Sequence, residues 1–80
     1  MIDHSTRKAV RVSNDGISGP YIMVPVDQLD NVRKLLREND IVHWVDHHAV
    51  SIDGKPLLAV VNLGKRSDPG HVQAILDAAT

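Results

Sequence analysis

The chain has 80 residues, no cysteine and a formal net charge of −1, from nine Lys and Arg residues against ten Asp and Glu residues. These numbers exclude disulfides and cysteine-based zinc sites, and they leave no excess positive charge for holding a nucleic-acid backbone. Only two residues, Tyr21 and Trp44, are aromatic, so base-stacking platforms are also scarce. We therefore expect no nucleic-acid partner, and a core built from aliphatic side chains.

The N-terminal segment lacks the features of a targeting sequence. Its residues, MIDHSTRKAVRV, include no apolar stretch of the kind found in secretory signals. No apolar run elsewhere approaches the ~20 residues of a membrane helix. We therefore expect a cytoplasmic protein with no membrane partner. The polar residues 1–7 predict a flexible tail, which leaves residues 8–80 as a single α/β domain.

The first half of the chain predicts two strands and a helix. Residues 8–12 alternate polar and apolar side chains, and residues 20–26, PYIMVPV, form a stronger strand pattern. Asp27 is a suitable N-cap for the helix, and Asn39-Asp40 is a suitable stop, since Asn tolerates the left-handed conformation. The predicted buried stripe of this helix contains Leu29, Val32, Leu35 and Leu36.

The second half predicts two more strands and a second helix. Residues 41–52 form an extended pattern that leads to a hairpin turn at Asp53-Gly54. Residues 57–63, LLAVVNL, are apolar on both faces and predict a central return strand. Asp68 predicts the N-cap of the second helix, with Pro69 in its first turn. The predicted buried stripe contains Val72, Ile75, Leu76 and Ala79.

The order β-β-α-β-β-α predicts an α+β fold with a mostly antiparallel four-stranded sheet and both helices on one face. We expect the spatial strand order 8–12, 20–26, 57–63, 41–52, with a right-handed crossover that joins strand 20–26 to a parallel neighbour. This arrangement resembles the ferredoxin-like two-layer sandwich of ACT-type regulatory domains and of small bacterial proteins, with LLAVVNL in a central strand. The chain departs from that plan because no strand follows the second helix, so strand 8–12 would fill the edge. The resemblance implies a ligand bound at a dimer interface.

A cluster of potential metal ligands lies at His43, Asp46, His47 and His48. Imidazole and carboxylate groups suit zinc, and a histidine beside a carboxylate suits acid–base catalysis. On a straight strand, however, His43 and His47 lie about 13–14 Å apart, so a bulge would be needed to bring them to one ion. We favour the alternative that these residues form a polar edge strand, which resists unwanted pairing.

A second cluster precedes the second helix and contains Lys65, Arg66, Ser67 and Gly70. Free N–H groups at a helix N-terminus bind anions, so this turn is a candidate anion site. The spacing of a P-loop is missing, and an ordinary capped turn explains the same residues. Trp44, near the sheet edge, is interpreted as a core filler or an interface anchor.

These observations favour a small non-enzymatic binding or interaction module that needs no cofactor. Its partner would be another protein, a second copy of the chain or a small ligand, and edge strand 41–52 could accept an added strand. The alternative is a metal-binding protein, with zinc as the metal, or an acid–base catalyst that uses the segment His43–His48.

Overall fold

The computed structural model describes residues 1–14, 19–46 and 57–79, which form an α+β fold of two helices and a four-stranded antiparallel sheet. The elements are β1 (Val12–Asn14), β2 (Pro20–Pro25), α1 (Leu29–Glu38), β3 (Trp44–Val45), β4 (Leu58–Asn62) and α2 (Pro69–Ala78). The predicted turn at Asp53-Gly54 lies outside the described residues. No described helix has both the length and the apolar character that crossing a membrane requires.

The strands lie in the order β1-β2-β4-β3, and each neighbouring pair is antiparallel. This agrees in part with the expected order. Strand β1 begins later than predicted, and within residues 41–46 the other outer strand covers Trp44–Val45, while the rest of the predicted strand 41–52 lies outside the described residues. The expectation of a parallel neighbour for β2 is wrong, because β1 and β4 both run antiparallel to it. Strands β2 and β3 do run parallel to each other, since each is antiparallel to β4, but β4 lies between them.

One face of the sheet carries the core. The register aligns Val12 with Ile22, Ile22 with Val61, and Val61 with Val45 across all four strands. Fully buried residues of both helices belong to the same hydrophobic cluster as this face; they are Val32, Leu36, Val72 and Leu76. The stripes predicted for the helices are thus confirmed at their central positions, while Leu29, Leu35, Ile75 and Ala79 are half-buried.

The start of α1 differs from the prediction. Val26–Gln28 form a short 3₁₀ turn, so Gln28 rather than Asp27 occupies the N-cap position of α1. The Gln28 side chain is buried, where its Nε2 donates to the Ile2 carbonyl oxygen at 2.7 Å and its Oε1 accepts from the His4 N–H at 2.8 Å. This long-range amide contact holds the helix start in place of a local carboxylate cap.

The predicted end of α1 at Asn39-Asp40 and the predicted start of α2 at Asp68 are both observed, with one difference in detail. At the end of α1, Asp40 takes the left-handed conformation with φ 56°, whereas Asn39 stays at φ −105°. The Asn39 side chain instead donates to the Leu35 carbonyl oxygen at 2.9 Å. The start of α2 is confirmed: Asp68 is the N-cap, its carboxylate accepts from the His71 N–H at 3.2 Å, and a proline occupies the first turn.

The N-terminal residues pair with the segment that was predicted as the first strand. The Asp3 N–H donates to the Lys8 carbonyl oxygen at 2.8 Å, and a bridge joins Ile2 to Ala9. The strand predicted at residues 8–12 therefore begins only at Val12, because residues 8–10 face residues 1–3. The predicted flexibility of residues 1–7 concerns their motion and stays a prediction.

A glutamine side chain covers the outer edge of β1. Gln73 of α2 accepts from the Val12 N–H through Oε1 at 2.8 Å and donates to the Val10 carbonyl oxygen through Nε2 at 3.0 Å. The side-chain amide thus makes the same pair of hydrogen bonds that a neighbouring strand would make. It ties helix α2 to the sheet at the edge opposite β3.

The loop before β2 touches the turn after β4 through backbone alone. Gly19 has φ +89°, and a Cβ there would lie 2.8 Å from the Lys65 nitrogen and 2.9 Å from the Gly64 carbonyl carbon. Next to this contact, the Leu63 N–H donates to the Pro20 carbonyl oxygen at 3.0 Å. Only glycine fits this position, because both its conformation and its surroundings exclude a side chain.

We expect Gly19→Ala to lower the free energy of unfolding by about 2–4 kcal/mol, since left-handed strain and a backbone clash act together. Urea unfolding followed by circular dichroism measures the change. Gly70→Ala is the matched control: Gly70 lies in α2, where its added Cβ would meet only an Asp68 carboxylate oxygen at 3.4 Å. Alanine favours helix, so the control should change stability by less than about 1 kcal/mol. Equal losses in both variants would contradict the backbone contact at Gly19.

Candidate functional site

The feature of greatest chemical interest is a groove at one end of the sheet, with a volume of about 470 Å³. It lies between the segment that joins α1 to β3 and the turn that joins β4 to α2. We call it the Trp44 groove. Its lining residues are Asp40, Ile41, Val42, Trp44, Leu63, Gly64, Lys65, Arg66, Ser67, Asp68, His71 and Val72.

The wall of the Trp44 groove is an indole ring that remains 53% exposed. The ring lies against Gly64, whose φ is +84° and where a Cβ would lie 3.4 Å from Cζ3 of Trp44. A Cβ would thus make ordinary contact with the ring, and it is the left-handed backbone conformation that favours glycine at this position. Leu63 and Val72 are buried core residues that also line the groove, and they form its apolar floor.

The rim of the Trp44 groove is charged. Lys65 and Arg66 are exposed on the turn after β4, and Asp40 is exposed on the opposite side, at the end of α1. Within the described ranges the ion pair found is Lys34–Glu38 at 3.9 Å, so neither Lys65 nor Arg66 pairs with a described carboxylate. The groove thus combines an apolar interior with charges of both signs at its mouth.

The predicted anion-binding residues are only partly brought together. Lys65, Arg66 and Ser67 line the Trp44 groove, whereas Gly70 does not. The Ser67 hydroxyl donates to the Gly64 carbonyl oxygen at 2.8 Å, and Asp68 caps the helix. These bonds describe a self-capped strand-to-helix turn, and anion binding there stays a prediction.

The predicted metal cluster is described at two of its four positions. His43 is half-buried, and its Nδ1 lies 2.9 Å from the Ile41 carbonyl oxygen. Because a carbonyl oxygen can only accept, this contact places a proton on Nδ1. Asp46 is exposed and lies three residues further along the extended chain, so it points to the opposite side from His43. His47 and His48 lie outside the described residues.

Neither metal binding nor catalysis gains a complete site in the described part of the chain. Over residues 1–14, 19–46 and 57–79, no three His, Cys, Asp or Glu side chains are grouped in a way that could hold a metal ion. The hydroxyl that lines the Trp44 groove, that of Ser67, donates to a backbone carbonyl rather than to a base. The groove therefore offers contact surface rather than an activated nucleophile.

Sequence reasoning missed the groove itself. It identified Trp44, Lys65, Arg66 and Ser67 separately, but it gave no role to Asp40 or to His71. The groove forms only where three segments meet, and the sequence carries no local signal for that meeting. Comparison of the chain with protein-family models, with curated proteins and with solved structures finds no match.

We expect Zn²⁺ to leave His43 unaffected, because His43 and Asp46 point to opposite sides of the chain. Amide and imidazole NMR spectra recorded with and without one equivalent of Zn²⁺ test this, with His43→Ala as the comparison variant. A saturable shift at His43 that chelator reverses, and that His43→Ala abolishes, would contradict the expectation and favour the metal hypothesis.

Proposed function

We propose that this chain is a small non-enzymatic binding module that holds an apolar group of its ligand or partner protein in the Trp44 groove. The observation that carries the proposal is that the half-exposed Trp44 and the buried core residues Leu63 and Val72 line one groove. A volume near 470 Å³ falls in the range of small-ligand pockets, about 300–1,000 Å³.

The exposed apolar surface gives this site a driving force. A tryptophan side chain presents ~150–250 Å² when fully exposed, so covering the open half removes roughly 100 Å² from water. At about 25 cal/mol per Å², that burial contributes about 2.5 kcal/mol to binding. Val42, which is 79% exposed beside the ring, adds to the same surface. Tryptophan is also enriched among the residues that dominate binding energy in protein interfaces.

We further propose that the fold follows the ferredoxin-like, ACT-type plan, with both helices on one face of the sheet. The support is the single cluster that contains buried residues of α1, of α2 and of one sheet face. The opposite face carries Tyr21, Asn62 and Trp44 in one cross-strand row. A second copy of the chain or a partner protein would then approach from this face or along the edge at β3.

The proposal predicts that Trp44→Ala abolishes binding of small apolar probes. The probes are benzyl alcohol, cyclohexanol and phenylacetamide, and binding is followed by amide NMR shifts at residues 63–72. We expect dissociation constants on the order of millimolar for the wild type, as suits ligands of this size. The control is Leu57→Ala, because Leu57 is similarly exposed, at 51%, but lies outside the groove.

Two results would contradict the proposal. One is the absence of saturable shifts in the folded wild type for every probe. The other is an equal loss of binding in Trp44→Ala and Leu57→Ala, because the probes would then not bind specifically in the groove.

Self-association has its own measurement. If a second copy occupies the Trp44 groove, sedimentation velocity should show a concentration-dependent dimer that Trp44→Ala weakens and Leu57→Ala does not. A strict monomer at every concentration would exclude a second copy as the partner.

A further inference from the structure

We infer that the preferred ligand of the Trp44 groove is a flat apolar group that carries a single anionic group, such as an aromatic carboxylate. This inference rests on the proposed function, since it assigns a ligand class to the same groove. It goes further because it assigns a purpose to the two cations at the rim.

The apolar half of the ligand is set by the groove interior. A flat ring can lie against the exposed face of Trp44, where aromatic pairs gain more than their buried area alone supplies. The apolar floor of the groove, formed by Leu63 and Val72, carries no charge. The part of the ligand that contacts this floor must therefore be uncharged.

The preference for an anionic group on the ligand follows from the charges on the turn after β4. Lys65 and Arg66 both stand at the mouth of the groove, and neither pairs with a described carboxylate. The neighbouring acid, Asp68, accepts from the His71 N–H and faces the positive end of the helix dipole. The helix N-terminus offsets part of the Asp68 charge, and two cations against this one acid leave the turn side of the groove positive.

Asp40 determines the orientation of the ligand. It lies across the groove from the turn, immediately after α1. A carboxylate on the ligand is repelled from Asp40 and attracted to Lys65 and Arg66, so both interactions direct it toward the turn. A cationic ligand would reverse this orientation, and its affinity measures how strongly Asp40 competes.

Three probes of the same shape separate these contributions: phenylacetate, phenylacetamide and 2-phenylethylamine. Trp44 is the only tryptophan in the chain, so its fluorescence reports on the groove directly. We expect phenylacetate to bind about three- to tenfold more tightly than the neutral amide, because an exposed charge-assisted contact adds only a modest amount to binding. We expect the amine to bind most weakly. High salt should remove most of the advantage of phenylacetate and leave the amide unchanged.

A pair of double variants identifies the source of the preference. Lys65→Gln with Arg66→Gln should lower the affinity for phenylacetate to that of the amide. The matched control, Arg33→Gln with Lys34→Gln, removes the same charge from α1 outside the groove and should leave the preference intact. Amide NMR spectra verify that both variants are folded.

The outcomes distinguish this inference from the proposed function. Equal affinities for the three probes, or tightest binding of the amine, would overturn the anionic preference while leaving an apolar binding groove. An equal loss of preference in both double variants would also overturn it, because the effect would then come from net charge alone. Absence of binding by all three probes to the folded wild type would overturn the proposed function together with the inference.

Discussion

The close backbone contact between Gly19 and the Gly64–Lys65 peptide is the constraint on which the end of the molecule that carries the Trp44 groove depends. It joins the loop before β2 to the turn after β4, beside the hydrogen bond from Leu63 to Pro20. The same turn carries the cations of the Trp44 groove and receives the indole ring on Gly64. A change in the packing of Gly19 would therefore move one whole side of the groove.

Features that depend on neighbours in sequence could be predicted. The Asp68 cap with Pro69 behind it is a local device, and it forms as predicted. The buried stripes of both helices follow from periodicity in the same way. Asp27 failed as a cap because the helix start is held by Gln28 through residues 2 and 4, more than twenty residues away. The first strand begins later than predicted because residues 8–10 pair with residues 1–3. The alternation of polar and apolar residues does not reveal this pairing.

The functional site could be predicted only as separate residues. The sequence predicts Trp44 as a core filler or an interface anchor, and Lys65 with Arg66 as part of a candidate anion site, but their convergence depends on β3 lying beside β4. Asp40 had no signal in the sequence other than its place at the end of a helix. In the histidine segment, by contrast, residues that are close in sequence point apart in the structure. Its residue types suggest a metal site, but the alternation that makes a strand separates His43 from Asp46.

The Gln73 amide also bears on which edge of the sheet can accept a further strand. By satisfying Val12 and Val10 along the outer side of β1, it closes one edge of the sheet to strand addition. Of the edges that the structure describes, this leaves the one at β3. Two copies that meet there form a closed two-fold pair, since each has used its open edge on the other. A single half-buried glutamine thus occupies the second edge that an endless stack of strands would need.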